Sequence, residues 1–343
     1  MSWTVLTFLL LACGQDPVAG ATTTVAPAPA PEVTALVAGS AHIDDRLTVG
    51  APVVVGGLAM FVVTDRRANE RPAGEYVLLA DALGAGTLAI SEVDAGGNVP
   101  TLHAHNTGSV PVLAMAGDVI RGGKQDRVVT QDVLIEPSDT PQPLAVNCVE
   151  QSRWSESRQG LAFSYAGRGE VDLARTVQTK KSQSETWSKV AELNDARGQA
   201  PQTGTYGASL GDAETRAKVD AVVGKLGAVS GDNAVGVVVA LRGELESAEI
   251  YDNPAIFSVA RGALVRSVAM DAVGKDALTE VVDPPTPEAA AAWVRDVRNA
   301  TPELTVEQPA SAYHEKTGRL GTKGYELRAK DGRKVKETFY KGE

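Results

Sequence analysis

Two short segments hold the residues whose types and spacing could do chemistry. The first is Gly117 to Pro137 (GDVIRGGKQDRVVTQDVLIEP) and the second is Val146 to Trp154 (VNCVEQSRW). Within the first, Gly122 and Gly123 precede Lys124, Gln125, Asp126 and Arg127. Paired glycines let a backbone turn sharply or approach a ligand closely. Lys124 and Arg127 could then hold a phosphate or carboxylate, Arg by its two-pronged fork and Lys as a point charge. This is not a phosphate-binding Walker loop, because the leading glycine spacing and the Ser or Thr after the lysine are missing. A polar β-turn with Asp126 and Arg127 paired structurally is the plainer alternative.

In the second segment, Cys148 and Glu150 fall on one face of a strand. Glu150 with Arg127 or Arg153 reads as a partly buried ion pair. Trp154 would cover that pair or stack on a ligand ring. The ligand-binding set expected from sequence is therefore Lys124, Gln125, Asp126, Arg127, Glu150, Arg153 and Trp154. Asp118, Asp126 and Glu150 are the candidate catalytic carboxylates. Any of them could act as general base, with Lys124 or Arg127 stabilising developing negative charge. A nucleophilic Cys148 would need a base or a nearby cation, and no His is supplied beside it. A small buried Cys is the alternative. His103 and His105 stand at i, i+2 and share a strand face, which suits a transition metal. The next residues, Asn106 to Ser109, add no carboxylate, so the pair reads equally as exposed strand histidines and no metal is assigned.

The elements that must position these residues are mostly strands. Leu47 to Thr64 is β-branched and broken by Gly and Pro, predicting one or two strands. Tyr76 to Leu83 suits a short helix. Strands are predicted over Thr87 to Val93, Val99 to Asn106, Val110 to Met115, Arg127 to Ile135 and Leu144 to Val149, with turn residues between them. Strands so closely spaced leave no room for crossover helices, so antiparallel pairing follows. After Gly169 the period changes. Lys180 to Arg197 and Ala213 to Leu226 have helical spacing. Asn233 to Leu241 (with VGVVVAL) is a buried strand, paired through the Arg242-Gly243 turn with Ser247 to Tyr251. Asn253-Pro254 and Thr286 open two further helices, and Gly324 to Tyr340 closes the chain as a hairpin. The fold class expected is α+β: a mainly antiparallel β sandwich or open barrel in the N-terminal half, packed with an α+β C-terminal half. The corresponding divisions are 41–170 and 171–343, with the second continuous with the first as the alternative.

Ahead of them, residues 1–12 read as a lipoprotein signal and 13–40 as an Ala/Pro/Thr-rich tether. Val5 to Ala12 is apolar but too short to span a bilayer, which needs ~20 residues. Leu10-Leu11-Ala12-Cys13 resembles a bacterial lipobox, in which Cys13 is lipidated. An ordinary secretory signal is the alternative. Asp16 to Pro31 (DPVAGATTTVAPAPAP) cannot bury a core and reads as an extended tether. No Asp follows the Cys at the second position, which by analogy favours the outer membrane of the bacterial envelope. The expected partners are thus the membrane, through lipidated Cys13, and a small anionic ligand. With Cys13 modified, Cys148 is the one remaining thiol among two cysteines, so the fold needs no disulfide. A formal charge of −10 argues against nucleic acid. Tyr313 to Glu343 runs against that balance with nine Lys/Arg and five Asp/Glu, read either as a patch for anionic lipid or glycan or as a solvated hairpin face.

Taken together, Asn106 to Leu113 (NTGSVPVL), Gly117-Asp118, Gly123 to Arg127, Cys148-Val149-Glu150 and Arg153-Trp154 resemble the ARG- and rhodanese-phosphatase-associated protein domain. The later block Val235 to Phe257, with YDNPAIF, resembles it too, so the likeness spans roughly Leu47 to Val273. Asp118 stands where the pattern carries Glu. The resemblance implies an association with ADP-ribosylglycohydrolases, hence with NAD-derived or ADP-ribosyl ligands, and it assigns no catalytic residue or cofactor. Three functions follow as alternatives: a lipid-anchored binding or sensor module for a small anionic molecule, a hydrolase or transferase working through a carboxylate base, and a structural envelope lipoprotein.

Overall fold

The computed structural model describes residues 39–68, 76–154 and 162–342. The expected signal, Cys13 and nearly all of the tether lie outside these residues. In chain order the first part comprises β1 (Ala41–His42), β2 (Leu47–Val55), β3 (Leu58–Asp65), β4 (Val77–Leu78), α1 (Leu79–Ala85), β5 (Leu88–Glu92), β6 (Thr101–Asn106), β7 (Val112–Ala114), β8 (Asp118–Arg121), β9 (Arg127–Val129), β10 (Val133–Ile135), β11 (Gln142–Cys148) and β12 (Ser164–Arg168). There follow α2 (Val171–Lys180), α3 (Gln183–Asp195), α4 (Gly207–Gly211), α5 (Ala213–Lys225), β13 (Ala234–Leu241), β14 (Glu244–Tyr251), α6 (Pro254–Gly274), α7 (Pro287–Arg298), β15 (Glu303–Glu307), β16 (Ser311–Thr317), β17 (Lys323–Ala329) and β18 (Lys334–Tyr340). The fold is α+β and its strand pairing is overwhelmingly antiparallel, as the strand spacing predicts. The short pair β4–β7 runs parallel.

A nine-stranded sheet has the order β1-β2-β3-β13-β14-β18-β17-β16-β15. It draws strands from both sides of residue 170, with β3 zipped to β13 from Leu58↔Leu241 to Thr64↔Ala234. The run VGVVVAL is apolar throughout because both faces of its strand are covered. Val237, Val239 and Leu241 lie in the apolar cluster that includes α6, while Val238 and Ala240 lie in the one that includes α7. A six-stranded sheet, β12-β8-β9-β11-β6-β5, carries the motif segments. It shares an apolar core with the three-stranded sheet β10-β7-β4 and with α1, built from Leu79, Leu88, Leu102, Val112, Ile120, Val133 and Val146.

Three local departures from the expected elements have clear causes. The strand expected over Arg127 to Ile135 is cut at Thr130 to Asp132, because Asp132 turns inward: its Oδ1 accepts Ala116 N–H at 2.9 Å and its Oδ2 accepts from Lys336 Nζ at 2.9 Å. The helix expected over Lys180 to Arg197 is α3, which begins only at Gln183, because Lys180 ends the preceding α2. Lys181 is left-handed (φ 48°), and Ser182 then caps α3 through Glu185 N–H. The Ser-x-x-Glu spacing 182–185 is the sequence signature of that start. Finally, part of the basic C-terminal stretch is drawn into ion pairs of the sheet. Lys316 is buried on Glu326 at 2.6 Å, Lys336 on Asp132, and Lys334 bridges Glu326 and Glu337 at 3.0 Å each. Arg319, Lys323, Lys330 and Lys341 stay exposed. Among the described residues no helix is long and apolar enough to cross a membrane.

Candidate functional site

The pairing of β9 with β11 brings the two motif segments together. Arg127 lies directly opposite Cys148, and Val149 N–H donates to Asp126 C=O at 3.0 Å across the same seam. All of Lys124, Gln125, Asp126, Arg127 and Glu150 are buried, with Arg127 at 0 % exposure. Trp154 remains 44 % exposed and covers them. Its ring lies 5.2 Å from Lys124 Nζ and 5.8 Å from the Arg127 guanidinium carbon, which is cation–π range.

Most of the polar atoms are committed to each other. Arg153 donates to Glu150 Oε2, to Asp126 Oδ1 at 3.0 Å and to Gly123 C=O at 3.1 Å. Gln125 Nε2 donates to the Glu150 carbonyl at 2.8 Å, and Asp126 Oδ1 also accepts Gly122 N–H at 3.1 Å. Arg121, half exposed, flanks Asp126 at 3.8 Å. Burial pushes the Asp126 carboxyl above the ordinary range, opposed by the Gly122 hydrogen bond, with nearby Glu150 adding to the rise. Cys148 Sγ contacts Gln125 Oε1 and accepts from Arg127 Nη1 at 3.2 Å. Burial pushes the thiol up to about 11, against the pull of Arg127, so thiolate is scarce at neutral pH.

Glu92, at the end of β5, completes the site, and the motif reading did not include it. Its Oε1 accepts Lys124 N–H at 2.8 Å, and its Oε2 lies 3.9 Å from Arg127 Nη2. The Gly96-Gly97 turn beside it takes Lys124 Nζ on the Gly96 carbonyl at 2.9 Å. A Cβ on Gly97 (φ 76°) would meet Lys124 Cδ at 2.8 Å and Trp154 Cζ2 at 3.1 Å. Gly123 (φ 52°) is equally constrained, since its Cβ would strike Phe163 and stand 2.7 Å from Glu92 Oε1. The signal for Glu92 is only that it precedes a glycine turn, which is too weak to find it. Three buried polar atoms of this cluster have no hydrogen-bond partner among the described residues: Arg127 Nε, Arg127 Nη2 and Glu92 Oε2. The first two form one edge of the guanidinium, the edge that grips an oxyanion with two parallel bonds.

Asp118 does not join this site. It sits in a second buried network between the sheets, where its carboxylate accepts Met115 N–H at 2.8 Å and Tyr165 O–H at 3.1 Å. Burial raises it to about 6 despite the attraction of Arg168. Nearby, Arg168 forks onto Glu249, which also accepts Tyr251 O–H at 2.8 Å and lies 3.5 Å from Lys336 Nζ. Burial works against the ionised Glu249, but Arg168 and Lys336 outweigh it and hold the carboxyl at about 2. None of Arg168, Glu249 or Lys336 stood out in sequence as part of a network, because they lie on three strands distant in the chain.

His103 and His105 share a partly exposed face of β6, with His105 Nε2 2.9 Å from the Ser138 carbonyl. No group of three or more His, Cys, Asp or Glu able to hold a metal occurs among the described residues.

The resemblance motifs now have physical roles. Asn106 is a buried staple whose side-chain amide donates to the Val110 and Ile135 carbonyls at 2.9 and 2.8 Å. Asn253 of YDNPAIF caps α6. No curated protein and no solved structure matches the chain. A family model matches residues 46–340, extending past Val273 through the C-terminal hairpin. The chain therefore belongs to the ARG and Rhodanese-Phosphatase-superfamily-associated Protein domain family.

Proposed function

We propose that this protein is a binding or sensor module, lipid-anchored in the bacterial envelope through Cys13, that takes a small anionic molecule at Arg127 beneath Trp154. The single observation that carries the binding site is the Nε/Nη2 edge of Arg127, fully buried and without an acceptor among the described residues. A buried donor left unmatched costs ~1–3 kcal/mol, more for a charged group, and an oxyanion would satisfy two at once. The partly exposed indole of Trp154 is the cover. The family's association makes NAD-derived and ADP-ribosyl compounds the first ligands to test. The envelope address rests on the lipobox-like Leu10 to Cys13.

The test is a thermal-shift and calorimetric panel of NAD, ADP-ribose, sugar phosphates and sugar acids. A ligand at 100 times its Kd stabilises by ~2.7 kcal/mol. Arg127→Lys keeps the charge and removes the two-pronged edge, so binding should weaken at least 10-fold while the protein stays folded. A silent panel, or unchanged affinity in Arg127→Lys, overturns the proposal.

A second reading is favoured by a separate observation: Arg153 satisfies both Asp126 and Glu150, as a structural polar core would. On that reading Arg153→Met strands two carboxylates and destabilises by ~3–5 kcal/mol, and no compound in the panel binds. Chemical denaturation of the variant, set beside the panel, separates the two.

A further inference from the structure

Glu92 sharpens what kind of anion the site would take, an inference that rests on the binding reading above. The charges of the cluster group themselves by contact. Arg153 matches Glu150, and Arg121 stands beside Asp126. Lys124, Arg127 and Glu92 remain, with a net charge of one positive. A single negative charge on the ligand neutralises this group, whereas two would leave an excess in a dry setting. The second clue is that Glu92 contributes an orphaned acceptor, Oε2, beside the orphaned donor Nη2 of Arg127. Their 3.9 Å separation is too long for a direct hydrogen bond. A ligand that fills both valences must offer an acceptor and a donor side by side. Its oxyanion would lie on the Arg127 edge, and an O–H or N–H on a nearby atom would donate to Glu92.

We infer that the site selects a singly charged oxyanion carrying a neighbouring hydroxyl or amine, with Glu92 as the residue that reads the hydroxyl or amine. Two sources share this chemistry: a hydroxylated carboxylate such as a sugar acid, and a phosphodiester, which bears one charge, with a hydroxyl beside it. Lys124 N–H holds Glu92 through Oε1, so Oε2 is aimed by the same turn that carries the ligand-binding lysine.

The experiment compares matched probes on the full chain and on Glu92→Gln by titration calorimetry. D-gluconate is set against hexanoate, and glycerophosphoglycerol against diethyl phosphate. The wild type should bind gluconate at least 10-fold more tightly than hexanoate, or glycerophosphoglycerol at least 10-fold more tightly than diethyl phosphate. Glu92→Gln keeps a carbonyl for Lys124 N–H but places an amide donor where Oε2 accepted. It should lose that preference while binding hexanoate as well as or better than the wild type, a pattern that simple destabilisation cannot produce. The two pairs tell the sources apart. If the wild type binds these anions without regard to the hydroxyl, or if Glu92→Gln keeps the wild-type preference, the role given to Glu92 is wrong and the binding reading survives. If neither these probes nor the panel above binds, the binding reading itself falls.

Discussion

Asp118 and Glu249 share one buried network, yet their environments drive them in opposite directions. Glu249 faces two cations and stays ionised; Asp118 has one cation near it and is dominated by loss of solvent. The consequence for stability has a definite sign. The folded Asp118 carboxyl titrates near 6 and the unfolded one near 3.8, so folding takes up a proton between those values. Its contribution is least favourable above pH 6 and is relieved as pH falls toward 4, by about 3 kcal/mol at most. Asp118→Asn should remove this relief. The difference in unfolding free energy between wild type and variant, measured by urea denaturation from pH 4 to 7, should therefore change through that window. A flat difference would refute the assignment. Glu249 acts oppositely, since its stabilisation holds above its unfolded value of 4.5 and is lost as pH falls toward 2. At this scale the sequence made the motif residues of the site legible, because glycines beside clustered charge are unusual between apolar strands. It could not separate Asp118 from Asp126, which are eight residues apart and serve different networks.

Among the elements, the helix starts were the most legible. Asn253 is buried and its Oδ1 accepts Ile256 N–H at 3.0 Å, with Pro254 in the first turn. Helix α6 then buries Ile256, Phe257, Leu264, Val268 and Met270 between the nine-stranded sheet and its neighbouring helices. Asn253→Ala removes the cap and should cost ~1 kcal/mol of stability. Asn253→Ser, which restores a side-chain acceptor, should recover most of it. Equal loss in both, by urea denaturation, would show that packing of Asn253 rather than capping matters. Strands were less legible where they were short. Strands β8 and β12, which pair around Asp118 and Arg168, are four and five residues long. Runs of that length carry too little alternation to stand out, and β8 is made inside by its neighbours rather than by its own pattern. Helix α2 was missed for a related reason, because its buried face includes Gln178, which bonds Tyr313 and Tyr340 rather than water.

For the whole molecule, the nine-stranded sheet decides what can fold alone. Strands β1 to β3 pair with one another and join the rest of their sheet only through β3 on β13, and Arg168 of β12 is neutralised by Glu249 of β14. All described residues fall in one compact unit. Residues 41–170 and 171–343 expressed as separate chains should each fail to unfold cooperatively, and mixing them should restore a single transition. Two independent cooperative transitions would overturn this. The measurement is circular dichroism melting of each fragment and of the mixture.

Local chemistry was written in the chain: the alternation of apolar residues, the caps at Asn253 and Thr286, the glycines that permit tight turns, and the cluster of charge that marks Lys124 to Arg127. These signals act over a few residues, so a linear reading reaches them. Which charges meet was decided only when β9 lay against β11 and β14 against β18. Sheet pairing joins residues by register rather than by distance along the chain. Hence Glu92 came to face Arg127, Lys336 came to face Asp132, and Lys316 came to lie on Glu326.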